Sequence, residues 1–419
     1  MALPPNPGAA SVRHAALALI TLALFTGTAA RYALSPVQEL ARAELGLSDP
    51  QVALLQGLAL ALPAVLVSIP VGRLVDRARR NRLMAVLAAV CGAGSVLSAL
   101  AQDFALLFAG RLLVGTAVVA AQPAALSLVA DLTEPATRGR AIMATSLGQA
   151  LGTAAAYWGA GWLLPGLEHL GALAPWRWLQ LVFGAAVLAT AVALLALREP
   201  PRREAGESFG GRLATALRGL WSYRRFLLPL VGGMVTVGMA DAAAAIWAVP
   251  VLTRRHGLSP ADFGSWMGAV NFGANLAGAL LGGLAADLGQ RGAGRSGVLR
   301  GAVLGAALSV PAALFPIMPS VAGFALLLAL LLTAGGAVNI AATSALMVVL
   351  PNELRGIGMS LLIAVIGMAA FGLAPLLVSL TAPLLAHADI AVALAGVGVV
   401  TSLLATAAFV RAMRDAAAR

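Results

Sequence analysis

Three ionisable residues sit inside long apolar runs, where charge is rare: Arg31, Arg111 and Asp241. A guanidinium fork meets a carboxylate or phosphate at two points, so Arg31 and Arg111 can hold an anionic group. Asp241 offers the opposite chemistry. Keeping a carboxylate ionised in an apolar run is costly, which makes it a proton or cation carrier by default. It lies about fifteen residues into its run, or about 22 Å from one end at 1.5 Å per helical residue. Tyr32, Gln122, Trp247 and Asn339 lie on the same or matching runs and can line a cavity with these charges.

A second group lies between runs. Gly72-Arg73-Leu74-Val75-Asp76-Arg77-Ala78-Arg79-Arg80-Asn81-Arg82 joins two of them, and Gly283 to Asp287 repeats its glycine–aspartate spacing one half-chain later. Asp76 ends its run, where a carboxylate can face the amino end of a neighbouring helix. Arg77 and Arg138 supply charge-assisted partners. Gly72, Asp76, Arg77, Arg138 and Asp287 are therefore expected to form a latch that must break when this side opens. Arg80 and Arg82 read as markers of topology alone.

The elements that carry these residues are membrane spans. The 419 residues are 60% hydrophobic and 11% charged, with mean hydropathy +0.91, outside the range of soluble domains. A helical span needs about 20 mostly apolar residues. Twelve runs qualify: near 13–35, 51–71, 83–102, 104–130, 140–164 and 177–197, then 226–252, 262–286, 298–319, 321–350, 356–384 and 388–412. They are continuous rather than alternating, which excludes a barrel. The first run follows Arg13 and resembles a signal segment, but it is long, and losing it would unbalance the halves; it is expected to stay as a helix.

The chain is strongly basic, and every basic residue is arginine. With the amino terminus inside, most of them fall in inner segments, which fixes both ends in the cytoplasm of a plasma (inner) membrane protein. The charge records topology and implies contact with membrane lipids, not nucleic acid. Residues 1–197 and 226–419 form two six-span bundles. Between them, 198–225 is polar, and Leu213, Leu217, Leu220 and Trp221 give it an amphipathic helix for the inner face. Arg138-Gly139 and Arg355-Gly356 mirror each other, as parallel repeats require. Gly148 with Gly152, and Gly278 with Gly282, suit close helix contact, while Gln149, Asn271 and Asn275 suit hydrogen bonds between helices. Cys91 is a buried small residue.

The paired loops resemble the signature loops of the major facilitator superfamily. Leu47-Ser48-Asp49-Pro50-Gln51-Val52-Ala53-Leu54-Leu55-Gln56, Arg111-Leu112-Leu113-Val114-Gly115, Ala130-Asp131-Leu132 and Trp176-Arg177-Trp178 are similar to its spinster-like branch. The resemblance covers most of the first half. It implies a twelve-helix, two-bundle transporter with its cargo site between the halves, a conformational role for the loop residues, and lipid-like cargo. The sequence departs from that branch twice. Ala30 and Val118 stand where the branch usually carries an aspartate and a glutamate, its natural proton carriers. Three readings then compete for Arg31 and Arg111: bracing and snorkelling, binding an anionic cargo, or pairing with Asp241, the last of which can coexist with either of the others.

Enzyme chemistry is not expected. His14, His169, His256 and His387 show no metal-ligand spacing, and no phosphate-binding loop with lysine exists. No catalytic residue, metal or cofactor is assigned. The sequence reads as an all-α membrane protein, a secondary transporter working by alternating access on a small amphipathic or anionic organic solute. Arg31, Tyr32, Arg111, Gln122, Trp247 and Asn339 are its substrate-binding candidates, and Asp241 its proton-coupling residue. Expected partners are a small-molecule or lipid-like substrate, protons and lipids, with the chain acting as a monomer. An uncoupled facilitator, a lipid scramblase and a transport-inactive receptor are the alternatives, which flux in proteoliposomes separates.

Overall fold

The structure, a computed structural model, describes residues 7–67, 74–75, 77–167, 169, 171–197, 199–200, 213–385 and 389–417. Among them are helices and turns and no strands. In the first half the spans are Pro7–Tyr32, the second span described below, Arg80–Ala99, Phe104–Leu132, Pro135–Leu167 and Pro175–Leu195. In the second they are Arg224–His256, Pro260–Gly297, Leu299–Ala312, Val321–Val349, the eleventh span and Ile390–Ala417. The second span begins as Asp49–Ala53, passes a π-helical turn at Leu54–Leu58 and continues over Ala59–Leu66. The eleventh is built alike: Asn352–Ile366, a π-helical stretch Gly367–Leu373, then Ala374–Thr381. Ten helices among the described residues are long and apolar enough to cross a membrane.

Local chemistry sets where these helices start and stop. Asp103 caps the fourth span by accepting from Leu106 N at 2.8 Å, and Ser320 caps the tenth by accepting from Gly323 N at 3.1 Å. Each satisfies one of the orphan donors of a helix start. Gln51 accepts from Ser48 N at 2.9 Å at the head of the second span. Gly46 (φ +62°) and Gly257 (φ +67°) end the helices before the second and eighth spans in the left-handed region, which glycine enters without a side-chain clash.

By contacts the chain forms two compact units. The first gathers Met1–Leu47, Leu62–Gly206 and Pro260–Gly268; the second gathers Ser48–Ala61, Glu207–Ser259 and Ala269–Arg419. In the first unit Ile20, Leu24, Met84, Leu87, Ala124, Leu128 and Leu194 form a core from spans one, three, four and six. The second unit repeats this with Phe226, Leu230, Leu299, Val338, Leu346 and Phe409 from spans seven, nine, ten and twelve. Large apolar side chains such as Leu326, Val192 and Leu308 are exposed instead. That is the pattern of helices whose outer solvent is lipid.

Glycines bring particular helices together. A Cβ on Gly148 would lie 2.7 Å from Thr21 Cγ2, and one on Gly152 would lie 3.0 Å from Thr28 Cβ. The fifth span therefore needs both glycines to rest on the first. Gly278 and Gly282 do the same for the eighth span against Gly336 and Ala337 of the tenth. The linker carries a helix, Leu213–Ser222, with Leu220 buried and Trp221 exposed.

Candidate functional site

At the end of the first unit where the third span begins, a buried cluster surrounds Arg80. Its Nε donates to Glu199 Oε1 at 2.9 Å, Nη1 donates to Ser127 Oγ at 2.8 Å and to Asp131 Oδ2, and Nη2 donates to Pro200 O at 3.3 Å. Asn81 joins from the backbone, its N–H donating to Glu199 Oε2 at 2.9 Å, and its side-chain amide donates to Leu197 O at 2.6 Å. Arg80 is only 2% exposed. The expectation that it merely marks topology is therefore wrong: it ties the start of the third span to the ends of the fourth and sixth. Arg82, by contrast, is exposed. The signal for the cluster was present in Asp131 and Glu199, two acids at the inner ends of their runs.

The expected latch residues fare differently. Gly72 and Asp76 lie outside the described residues. Arg77 is exposed, and so is Asp287, which has no ion pair or hydrogen bond among the described residues. Arg138 donates through Nη2 to Ala130 O at 3.3 Å, and its repeat mate Arg355 donates through Nε to Leu350 O at 3.0 Å. Each arginine thus reaches the carboxyl end of the span before it, where the last carbonyls lack helical partners.

Deeper in the first unit, Arg111 is fully buried on the fourth span, and its Nη2 donates to Arg31 O at 2.7 Å. Arg31 O belongs to the last turn of the first span, where the helix dipole favours a cation. Arg111 therefore braces that helix end. The Arg31 guanidinium lies 5.6 Å from the centre of the Tyr32 ring, a cation–π contact. Beside them Ala30 is packed in an apolar cluster with Cys91, Val114, Ala117 and Val187, and Val118 packs against that cluster. The two positions without carboxylates are filled by hydrocarbon. Gln122 accepts from Gln149 Nε2, joining the fourth and fifth spans.

In the second unit, Asp241 on the seventh span faces Gly335 on the tenth. A Cβ on Gly335 would lie 2.5 Å from Asp241 Oδ1 and would overlap Oδ2. Asp241 Oδ1 is shielded and has no hydrogen-bond partner, and no described residue forms an ion pair with this carboxylate. Asn339, one turn along the tenth span from Gly335, is exposed. Trp247 is fully buried, and its Nε1 donates to Pro375 O at 3.0 Å. It braces the seventh span on the eleventh, so its indole N–H is not available to cargo. Asn275 bonds to Asn271 O of its own helix, not to another span.

Two further arginines act at other helix ends. Arg177 donates to Glu44 Oε1 at 3.0 Å and to Ala99 O at 2.6 Å, with its guanidinium 4.5 Å from the Trp176 ring centre. Trp176 Nε1 also donates to Glu44. Trp176 and Arg177 thus clamp the short helix Gln38–Leu45, and Arg177 also holds the end of the third span. In the second unit Arg254 grips Asp49 with two bonds of 2.8 and 2.7 Å. Close by in sequence, the two π-helical segments pack on each other, with Gly57 against Phe371 O.

A profile of the Major Facilitator Superfamily matches residues 20–375. Among solved structures, a bacterial homolog to the human lysosomal transporter Spinster, in an inward-facing and unoccupied conformation, superimposes with TM-score 0.82. It covers 99% of this chain and 98% of that one at 20% identity. The nucleoside transporter NupG aligns with TM-score 0.74 over 94% and 98% at 12% identity. At those identities the likeness concerns the fold. The puromycin resistance protein pur8 of Streptomyces alboniger is 31% identical over 242 residues, which are 57% of this chain and 43% of that protein. The match therefore spans less than half the length of that relative.

Proposed function

The chain belongs to the Major Facilitator Superfamily and is a multi-pass membrane transporter, and on that premise we propose that it moves a small amphipathic organic solute by alternating access, coupled to protons through Asp241. The observation that carries this reading is the shielded Asp241 oxygen with no partner on any described residue. An ionised carboxylate in that state is costly within a membrane, and taking up a proton removes the cost. A change of access that brings water to the group releases the proton again. This cycle is what coupling requires.

In the first unit Arg31 and Tyr32 supply the polar contacts for cargo, and Gln122 adds an amide. In the second, Asn339 adds another. Arg111 acts on cargo through Arg31, whose helix end it holds. The arginine distribution supports a plasma (inner) membrane location with both termini in the cytoplasm.

The reading is tested in proteoliposomes with an imposed pH gradient, using puromycin, a lysophospholipid and adenosine as probes. The wild type is expected to concentrate one of them only while the gradient lasts, and Asp241→Asn to move it without concentrating it. A wild-type flux indifferent to the gradient would refute the coupling.

A further inference from the structure

The two halves of the chain register by two constant offsets. Adding 211 carries Gly27 to Gly238, Gly46-Leu47-Ser48 to Gly257-Leu258-Ser259, Gly57 to Gly268 and Asp76 to Asp287. Adding 217 carries the span Phe104–Leu132 onto Val321–Val349, and Arg138-Gly139 onto Arg355-Gly356. The fold obeys the same register. Gly46 and Gly257 share the left-handed conformation. A Cβ on Gly57 would strike Phe371 O, and one on Gly268 would lie 3.0 Å from Ala154 O. Residues 154 and 371 are themselves related by the second offset.

On this register Asp241 falls on Ala30, and Gly335 falls on Val118. The two pairs are copies of one place in the fold with opposite contents. In the first half Ala30 is fully buried in a cluster with Cys91, Val114, Ala117 and Val187, and Val118 packs against the same cluster. In the second half the smaller partner has become a carboxylate and the larger has lost its side chain. A Cβ at 335 is incompatible with the Asp241 oxygens where they stand. We infer that Gly335 is the positioning residue of the coupling site, and that the Asp241–Gly335 and Ala30–Val118 pairs are interchangeable copies of one acid pocket, only one of which is kept open.

The surroundings fit a carboxyl that trades only with water and cargo. The tenth, eleventh and twelfth spans pack against the seventh, as does the helix Leu213–Ser222, which carries Arg218 and meets it near its start at Arg224. The tenth has no ionisable residue, and the eleventh and twelfth have theirs at the inner ends: Glu353, Arg355, Arg411, Arg414 and Asp415. The π-helical turn Leu54–Leu58, which also touches the seventh span, has none.

The inference rests on the coupling role of Asp241, and its test separates the two ideas. Full-length protein in proteoliposomes is treated with dicyclohexylcarbodiimide, a lipid-soluble reagent that adds to protonated carboxyls in apolar surroundings. Adducts are located by peptide mass spectrometry across a pH series. Asp241 is expected to react in the wild type. Gly335→Ala and Gly335→Val are expected to lower its labelling rate about tenfold and move the pH midpoint, because overpacking displaces the carboxyl. In the fourfold variant Ala30→Asp, Val118→Gly, Asp241→Ala, Gly335→Val, the adduct is expected at position 30; with Val118 retained, it is expected to be lost. An unreactive Asp241 in the wild type would overturn the coupling role itself. Reaction of Asp241 with unchanged rate and pH midpoint in Gly335→Ala would overturn the inference alone. If the fourfold variant aggregates, Gly335→Ala decides by itself.

Discussion

Arg80 and Arg111 are both buried in the first unit, yet the fold settles them in different ways. Arg80 meets two carboxylates, Asp131 and Glu199, at the inner ends of two spans. Arg111 reaches the carbonyl of Arg31, in the last turn of the first span. One guanidinium is balanced by full charges and the other makes use of the partial charge of a helix end. The difference teaches that a buried arginine is not by itself a cargo ligand. Its partner decides whether removing it strands charge or only loosens a helix.

The largest effect is expected where charge would be stranded. Arg80→Ala removes the guanidinium that both Asp131, 8% exposed, and Glu199 pair with. Breaking a buried pair in this way costs about 3–5 kcal/mol. In detergent, thermal unfolding followed by size-exclusion chromatography should show a large fall in midpoint, with Arg80→Lys recovering part of it. Arg111→Met comes next. It removes a charged hydrogen bond worth about 1.5–3 kcal/mol, and the flexible apolar side chain partly refills the space. A loss equal to that of Arg80→Ala would show that Arg111 neutralises a full charge rather than bracing a helix.

The sequence revealed the fold more readily than the site, and the reason is physical. Spans are long apolar runs whose signal is spread over some twenty residues, so single exceptions do not hide them. Even so, the π-helical turns at Leu54–Leu58 and Gly367–Leu373 were not foreseen, because they leave composition unchanged. Asp241 stood out as a charge in an apolar run. The Arg80 cluster did not, because its members come from three helix ends far apart in sequence, and an arginine in a basic loop looks like every other. Trp247, an aromatic with a polar tip, suits both a cargo site and a helix contact by its sequence alone. Only the position of Pro375 O distinguishes them.

That residue gives the third prediction. Trp247→Phe keeps the ring but removes the donor to Pro375 O, leaving a buried carbonyl short of one bond, at a cost of about 1 kcal/mol. A modest drop in unfolding midpoint with unchanged cargo affinity is expected; a selective loss of affinity would return Trp247 to the cargo site.

The smallest effect is expected for the arginine nearest to water. Arg254 holds Asp49 with two short bonds, a better geometry than many buried pairs achieve, but the side chains are 27% and 24% exposed. Water and salt screen such a pair, and exposed pairs contribute about 0.2–1 kcal/mol. Arg254→Gln should therefore shift the unfolding midpoint only slightly, and the shift should shrink as salt is raised from 50 to 500 mM, conditions chosen to bring the screening length from about 14 to about 4 Å. The same salt series should leave most of the Arg80→Ala deficit intact, since Arg80 and Asp131 are only 2% and 8% exposed. Should both deficits fall with salt in parallel, burial would not be what separates Arg80 from Arg254.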